Sequence, residues 1–254
     1  MQRDRFENRV VFVTGAASGL GRAVAKRVAA EGGRVFGVDV NPQGVEETVA
    51  TIRTAGGVAD GRACDVADFR SVQEAVTAAV AAFSGLNILI NAAGVGRALR
   101  FEEMTADEWN RVIAVNLTGA FNTTKAAIEH LLKPPVGNIV NVASTAAMRG
   151  QAYAPHYAAS KAGLVNFTRS IALEYATRGL RANCVCPGGI KTPFIRNFFP
   201  REDFEEQLIN YCRPPVPHQH WEPDDAAEGV VFVASEEARM FNGAALVMDG
   251  GILA

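Results

Sequence analysis

Short apolar segments alternate with longer amphipathic segments along the chain. Most of the seven short segments carry apolar residues on both faces, which is typical of strands in a parallel sheet covered by helices on each side. A strand with one exposed face would instead alternate apolar and polar residues. The predicted strands span residues 10–14, 34–40, 60–64, 87–91, 137–143, 181–186 and 244–248.

The segments between these strands have the spacing of amphipathic helices. They span residues 21–30, 42–54, 69–83, 106–132, 157–176 and 224–234. Regular alternation of strand and helix predicts right-handed βαβ units and an α/β fold, with a seven-stranded parallel sheet in one doubly wound domain, residues 1–254. Residues 190–221 break the alternation and are rich in Phe, Pro and charge, so we expect them to form an inserted lid.

Composition narrows the class of protein. Of 254 residues, 48% are hydrophobic and 20% charged, which favours a compact fold over disorder. The net charge of -2 and the lack of a long basic run argue against a nucleic-acid partner. The first residues lack an apolar signal core and no segment reaches membrane-spanning length, so a cytoplasmic protein with no membrane partner is expected. The four cysteines are expected to be reduced thiols, and no metal site is predicted.

A glycine-rich turn follows the first predicted strand. Gly15, Gly19 and Gly21 stand between that strand and a helix, with Ser18 and Leu20 beside them. Glycines let the backbone approach a pyrophosphate closely, and the helix N-terminus supplies N–H groups and a positive dipole. Strand, turn and helix together predict a dinucleotide site in a Rossmann-type domain.

The second predicted strand brings an acid, Asp39, to the same edge of the sheet. A carboxylate there accepts hydrogen bonds from the ribose hydroxyls of NAD and repels the 2′-phosphate of NADP. Val40 and Asn41 offer no cation for that phosphate, nor does Ser18, so NAD is the predicted cofactor. The alternative is that Asp39 only caps the helix that begins at Pro42.

Tyr157 and Lys161 are four residues apart and therefore share one face of a predicted helix. A tyrosine is a poor acid or base at neutral pH, but a nearby cation stabilises its phenolate. The pair therefore predicts proton transfer, although structurally neutral pairs of this kind are common.

With the other motifs, the chain resembles the short-chain dehydrogenase/reductase family over nearly its whole length. The motifs, in order, are Thr14-Gly15-x-x-x-Gly19-x-Gly21, Asp65-Val66, Asn91-Ala92-Ala93-Gly94, Asn116, Ser144, Tyr157-x-x-x-Lys161, Pro187-Gly188-Gly189 with Thr192, and Asp249-Gly250-Gly251. The resemblance implies hydride transfer between NAD and a secondary alcohol or ketone, with Tyr157 as the acid/base. It implies that Lys161 lowers the pKa of Tyr157 and holds the nicotinamide ribose, and that Ser144 binds the substrate oxygen.

The resemblance also implies roles for other positions. Asn116 would hold a water that links Lys161 to solvent, and an Asn that satisfies backbone groups is compatible with this role. The implied dinucleotide contacts are Asp65 and Val66 at the adenine, Asn91, Ala92, Ala93 and Gly94 under the adenosine ribose, and Pro187, Gly188, Ile190 and Thr192 at the carboxamide. Family tetramers imply a homotetramer.

The predicted lid carries Phe194, Ile195, Phe198, Phe199 and Phe204. These residues either line a pocket for an apolar substrate or pack the lid on the domain, and the sequence leaves both interpretations open. Arg97, Arg100 and Arg149 either bind an anionic group or lie on the solvated surface. Two other functions are considered: an NADPH-dependent 3-oxoacyl-thioester reductase, which Asp39 disfavours, and a catalytically silent dinucleotide sensor, which needs no Tyr157–Lys161 pair.

Overall fold

The protein has a seven-stranded, entirely parallel sheet with helices on both faces. The computed structural model describes residues 4–133, 135–198, 203–211 and 221–254. The strand order is β3-β2-β1-β4-β5-β6-β7. The strands are β1 (Val10–Thr14), β2 (Arg34–Asp39), β3 (Val58–Ala63), β4 (Ile88–Asn91), β5 (Asn138–Val142), β6 (Arg181–Pro187) and β7 (Ala245–Met248). The predicted α/β fold class is confirmed.

Every predicted strand is present, with bounds that differ by a few residues at most. The third begins at Val58 and not at residue 60, because its pairing with β2 starts at the Arg34–Val58 register. Strands β1, β4 and β5 are buried along their whole length, whereas β3 and β7 lie at the sheet edges and are partly exposed. The two-sided apolar pattern therefore describes the centre of the sheet best.

Each predicted helix is present, one of them interrupted, and the described part of the predicted lid adds two short helices. The helices are α1 (Gly19–Ala30), α2 (Pro42–Thr54), α3 (Phe69–Phe83), α4 (Ala106–Ile113), α5 (Gly119–Leu131), α6 (Pro155–Glu174), α7 (Pro193–Phe198), α8 (Glu206–Asn210) and α9 (Pro223–Ala234). The predicted helix 106–132 is not continuous, because residues Ala114–Thr118 form a π-helical turn between α4 and α5. None of the described helices has the length and apolar character needed to span a bilayer.

The order of the strands creates a crevice at one edge of the sheet. The chain steps outward from β1 to β2 and β3, and then crosses to β4 on the opposite side of β1. Helix α1, which follows β1, packs with α9 on one face of the sheet, whereas α5, which comes after β4, packs with α3 on the other face. Ligands of open parallel sheets bind at such a switch point.

Polar side chains cross the buried interior beneath this crevice. Thr123 on α5 donates a hydrogen bond to Asn91 (2.7 Å), and Asn91 donates to Asn141 of β5 (2.8 Å). Asn141 in turn donates to Thr168 of α6 (2.8 Å), which donates to the Leu164 carbonyl. Buried polar groups are stable when each one has a partner, so this ladder fixes α6 against the sheet.

Candidate active site

A cleft of about 1130 Å³ runs along the carboxyl edge of the sheet. Its walls come from the glycine turn after β1, the ends of β2 and β3, the loop after β4, the start of α6 and the segment after β6. Predicted site residues that line it are Gly15, Ser18, Gly19, Leu20, Gly21, Asp39, Asp65, Val66, Ala92, Ala93, Gly94, Ser144, Tyr157, Lys161, Pro187, Gly188, Ile190 and Thr192. The fold thus brings most of the predicted positions into one cavity.

The glycine turn is too tightly packed for side chains. Gly15 has a φ of 72°, and a Cβ atom there would lie 2.9 Å from the Ala93 nitrogen. A Cβ atom on Gly21 would lie 2.1 Å from the Gly15 carbonyl oxygen. The turn therefore brings bare backbone to the start of α1, and these residues fit a pyrophosphate.

The carboxylate of Asp39 faces this turn. One oxygen accepts a hydrogen bond from the Ala17 nitrogen (3.2 Å) and the other from the Asn41 nitrogen (3.0 Å). The cap of α2 is a different residue, since the Asn41 side chain accepts from the Gly44 nitrogen (3.2 Å). The alternative role of Asp39 as the helix cap is therefore wrong.

Asn91 is the predicted dinucleotide residue that does not line this cleft. Its side chain is buried and belongs to the polar ladder beneath the site. The Asn91 side chain thus positions the strand end that carries Ala92, Ala93 and Gly94, and the expectation that this segment passes under the adenosine ribose stays a prediction. A motif match gives the residue type, but it does not tell which way the side chain points.

Thr14 stands in the glycine motif, which by itself indicates no role for this residue. Its hydroxyl accepts hydrogen bonds from the nitrogens of Ala92 (3.1 Å) and Ala93 (3.0 Å). The last residue of β1 thus holds the loop after β4 against the glycine turn. The signal in the sequence was a hydroxyl residue at the end of a strand, directly before the glycine turn.

Tyr157 and Lys161 lie on the first turns of α6 and both reach the cleft. The Lys161 ammonium donates to the Val142 carbonyl (2.7 Å) and lies 5.8 Å from the centre of the Tyr157 ring. Ser144 follows β5; its hydroxyl oxygen accepts from the Ala146 nitrogen (3.2 Å) and is hydrogen-bonded to Tyr157. Three of the four predicted catalytic side chains thus meet at one end of the cavity.

Asn116, the fourth, lies in the π-helical turn and is buried. Its side-chain oxygen accepts from the Val95 nitrogen (2.8 Å), and its amide nitrogen donates to the Val95 carbonyl (2.9 Å) and the Ser160 hydroxyl (3.1 Å). Both amide hydrogens are therefore engaged, so the amide nitrogen has no hydrogen left to donate to the predicted relay water. The oxygen of Asn116 and the Lys161 nitrogen each lie 3.5 Å from the position of a Cβ atom on Gly94, so the two groups do converge.

Burial dominates the protonation of the two groups on α6. It raises the pKa of Tyr157 to about 12, and the hydrogen bond with Ser144 lowers that pKa in part. Burial lowers the pKa of Lys161 to about 8, because the charged ammonium loses solvation. Burial thus sets the direction of both pKa shifts, and the implied lowering of the tyrosine pKa by Lys161 stays a prediction.

Comparison with known proteins identifies the family. The model of the short chain dehydrogenase family matches residues 9–203. The chain is 39% identical to D-threitol dehydrogenase of Mycolicibacterium smegmatis, over 97% of this chain and 94% of that protein. It is 40% identical to a 2,5-dichloro-2,5-cyclohexadiene-1,4-diol dehydrogenase of Sphingobium indicum, over 98% of this chain and 97% of that protein. The chain belongs to the short-chain dehydrogenase family.

A solved structure of the family shows the same fold. The short-chain dehydrogenase from Mycobacterium paratuberculosis bound to NAD superposes with a TM-score of 0.92 at 30% identity, and 98% of each chain is covered. The family consists of oxidoreductases that bind a nicotinamide dinucleotide. We therefore call the part of the cleft at Gly15–Gly21, Asp39 and Asp65 the dinucleotide end, and the part at Ser144, Tyr157 and the lid the substrate end.

The aromatic residues of the lid have different surroundings. Phe194, Ile195 and Phe198 line the substrate end, whereas Phe204 stacks on Tyr153 with ring centres 4.1 Å apart. Phe204 therefore packs the lid on the domain, whereas an apolar substrate at Phe194, Ile195 and Phe198 stays a prediction. Phe199, residues 200–202 and residues 212–220 lie outside the described residues.

The three candidate arginines do not line the cleft. Arg97 pairs with Glu108 (3.5 Å), Arg100 donates to the Asp203 carbonyl (2.6 Å), and Arg149 donates to the Tyr211 carbonyl (3.0 Å). The hypothesis that they bind an anionic substrate group is therefore not supported by their positions. Arg100 and Arg149 instead tie the lid to the domain.

Proposed function

We propose that this short-chain dehydrogenase is an NAD-dependent oxidoreductase that interconverts a secondary alcohol and its ketone. The observation that carries the proposal is the convergence of Tyr157, Ser144 and Lys161 at one end of a cleft whose other end carries Asp39. The bound nicotinamide supplies or accepts the hydride, and the protein supplies position and proton transfer.

Asp39 supports NAD over NADP. Its carboxylate lies at the dinucleotide end, where it suits ribose hydroxyls and opposes a phosphate. The guanidinium of Arg22 is nearby, but it donates to the Gly44 carbonyl (3.2 Å) and to Glu47 (3.0 Å). Its charge is thus paired, so it is a poor partner for a 2′-phosphate. Gly15, Gly19 and Gly21 would hold the pyrophosphate, with Asp65 and Val66 at the adenine.

Tyr157 is the proposed acid/base. In oxidation its phenolate takes the proton of the substrate hydroxyl, and in reduction its phenol returns that proton to the substrate oxygen. The Ser144 hydroxyl is hydrogen-bonded to Tyr157 in this structure and accepts from the Ala146 nitrogen, so its one hydrogen would turn from the phenol to the substrate oxygen when the substrate binds. Negative charge on that oxygen is stabilised by such a donor.

Lys161 is the proposed partner of Tyr157 in proton exchange. Its pKa of about 8 lets the ammonium lose or regain a proton near neutral pH. Asn116 contributes by holding the Val95 backbone next to this pair. It is thus a positioning residue in this proposal, and the family relay water would bind to a group other than its amide nitrogen.

The two relatives support an alcohol as the substrate class, since one is named for a threitol and the other for a cyclohexadienediol. The apolar lining at Phe194, Ile195 and Phe198 supports a substrate with an apolar portion. A thioester reductase is the weaker alternative because Asp39 opposes NADPH. A silent sensor is weaker still, because it has no use for the acid/base group.

The exposed apolar residues support the proposed homotetramer. Leu173 on α6 is 81% exposed, Met240 is 88% exposed and Val247 on β7 is 44% exposed. Apolar surface of this kind is typical of contacts between subunits. Sedimentation analysis tests this part of the proposal, and a protein that sediments only as a monomer would contradict it.

The cysteines support a reducing compartment. Cys64, Cys184 and Cys186 are free and buried. Burial raises the pKa of all three thiols, so they are poorly reactive. We therefore place the protein in the cytoplasm.

Substitution of Tyr157→Phe tests the proposed reaction. We expect turnover of a secondary alcohol to fall by about 10³-fold, because the acid/base group is lost. The dissociation constant for NAD, measured by protein fluorescence, should change by less than about twofold, since the ring and its packing remain. Tyr175→Phe, near the other end of the same helix, is the matched control and should leave turnover unchanged. Full activity of Tyr157→Phe would remove this residue from the mechanism.

A further inference from the structure

Gly96 lies directly opposite three aromatic rings at the substrate end. A Cβ atom at this position would lie 2.8 Å from Phe198, 2.9 Å from Tyr157 and 3.1 Å from Phe194. Its φ is not in the left-handed region, so backbone conformation does not require glycine here. Space is what favours glycine, because a side chain here would push the rings of Phe198 and Tyr157 away from the loop.

The three rings form one closed group. The centre of the Tyr157 ring lies 5.6 Å from that of Phe194 and 5.3 Å from that of Phe198, and the two phenylalanine centres are 5.2 Å apart. Phe198 meets Tyr157 edge to face. These separations and angles are favourable for aromatic contacts. The phenol is thus bordered by aromatic surface on the side where the lid covers it.

The loop that carries Gly96 also holds the lid. Ala98 stands two residues after Gly96, and its nitrogen donates to the Phe198 carbonyl (2.8 Å). This bond fixes the distance of the Phe198 backbone from the loop. Because Gly96 has no side chain, the Phe198 ring can pack against Tyr157. The distance between lid and phenol therefore depends on one small residue.

The chemistry of this wall selects a kind of substrate. Phe194, Ile195, Phe198 and Ile209 present apolar surface, whereas a polyol needs a hydrogen-bond partner for every buried hydroxyl. A flat ring gains stacking or edge contacts with phenylalanine that an open chain does not. The wall therefore favours an alcohol whose carbinol carbon is attached to a flat, apolar ring.

We infer that Gly96 is a specificity-determining residue: it lets Phe194 and Phe198 close on Tyr157, and the resulting aromatic wall selects ring-bearing secondary alcohols and ketones over small acyclic alcohols and polyols. The inference rests on the proposed function. It adds the class of substrate and the residue that sets it.

The experiment compares three alcohols with NAD: 1-indanol as a flat ring-bearing alcohol, 2-butanol as a small one, and D-threitol as a polyol. For the unmodified protein we expect kcat/KM for 1-indanol to exceed that for 2-butanol by about 100-fold, with D-threitol lowest. Gly96→Ala should reduce the preference for 1-indanol by about tenfold or more, mainly through KM, because its methyl group moves the rings apart. Gly150→Ala is the matched control, since no atom lies within 4 Å of its Cβ position.

Phe198→Leu distinguishes a change in substrate preference from a general loss of activity. Phe198 is the ring nearest to the new methyl group of Gly96→Ala, so its replacement by Leu in that background reduces the crowding. Turnover of 2-butanol lost through crowding in Gly96→Ala should then be regained, while the preference for 1-indanol stays low. Phe198→Leu alone should also lower that preference by about tenfold, which keeps the test open if Gly96→Ala does not fold. The dissociation constant for NAD should be unchanged in all variants, because the substitutions lie at the substrate end.

The outcomes distinguish this inference from the proposed function. Oxidation of D-threitol in preference to 1-indanol, or an unchanged preference in both Gly96→Ala and Phe198→Leu, would overturn the inference and leave the dehydrogenase proposal intact. An unmodified protein that binds NAD but oxidises none of the alcohols, and reduces none of the matching ketones, would overturn both.

Discussion

The dinucleotide end and the substrate end of the cleft are held by different kinds of contact. At the dinucleotide end, backbone packs on backbone: a Cβ atom on Gly15 or Gly21 would collide with main-chain atoms. At the substrate end, side-chain rings pack on one another, and Arg100 and Tyr153 attach the lid. The first end tolerates little change, and the second can change its shape by rotation of a few side chains.

The sharpest test of this difference is Gly21→Ala. Its new methyl group would lie 2.1 Å from the Gly15 carbonyl oxygen, so a backbone segment and not a flexible side chain would have to shift. We expect the dissociation constant for NAD to rise by about 100-fold, in line with the cost of overpacking. Titration followed by protein fluorescence measures it. Gly85→Ala, whose Cβ position is open, is the control. Equal affinity in the two variants would show that the turn is not rigid.

The pH dependence of the reaction tests the protonation state of Tyr157, which lies where the two ends of the cleft meet. Burial raises the pKa of Tyr157 to about 12, so the phenol keeps its proton at neutral pH. Ketone reduction needs this proton and should be nearly constant between about pH 6 and 8, whereas alcohol oxidation needs phenolate and should rise about tenfold per pH unit. The rise should slow above pH 8, because Lys161, whose pKa is lowered to about 8, then loses its charge.

Initial rates at saturating NAD or NADH measure both directions across this range. Oxidation that is already independent of pH at about pH 6 would mean that the phenol ionises below that value. The assignment of burial as the dominant influence on Tyr157 would then be wrong.

Charge at the dinucleotide end is tested by Asp39→Asn. The amide keeps an oxygen that can accept from the Ala17 nitrogen, so the turn should be retained while the negative charge is lost. We expect the ratio of NADP to NAD affinity to rise by about tenfold. Asp65→Asn also removes a carboxylate from the cleft lining, and this control should leave the ratio unchanged. A ratio unaffected by Asp39→Asn would show that the carboxylate does not set the preference.

The smallest expected effect concerns the attachment of the lid. Arg100→Gln removes the bond to the Asp203 carbonyl and the ion pairs with Asp203 and Glu205. We expect KM for the alcohol to rise about two- to threefold with unchanged NAD affinity, because exposed ion pairs contribute little. Arg97→Gln breaks the exposed pair with Glu108 and should change neither constant. A rise in both constants would indicate that the two ends are coupled.

Sequence reasoning predicted the local motifs of the cleft better than the contacts of the lid, for a physical reason. The glycine turn, Asp39 and the Tyr157–Lys161 pair are local patterns next to strong strand and helix signals, and local patterns survive without knowledge of tertiary contacts. The π-helical turn at Ala114–Thr118 was not predicted, because apolar residues continue through it from α4 into α5. Its role is seen only in the structure, where Asn116 accepts a hydrogen bond from the Val95 nitrogen. The lid contacts of Gly96 and Arg100 join residues about 100 positions apart, which no local pattern reports.

The attachment of residues 95–99 has a consequence for how this protein can evolve. Val95 is held through its nitrogen and carbonyl, Ala98 through its nitrogen to Phe198, and Leu99 through its nitrogen to the Tyr153 carbonyl. Main-chain attachment persists when a side chain is exchanged. Substitutions in this segment at positions other than Gly96 can therefore change the surface beside the cleft in descendants while the backbone that borders Tyr157 keeps its place.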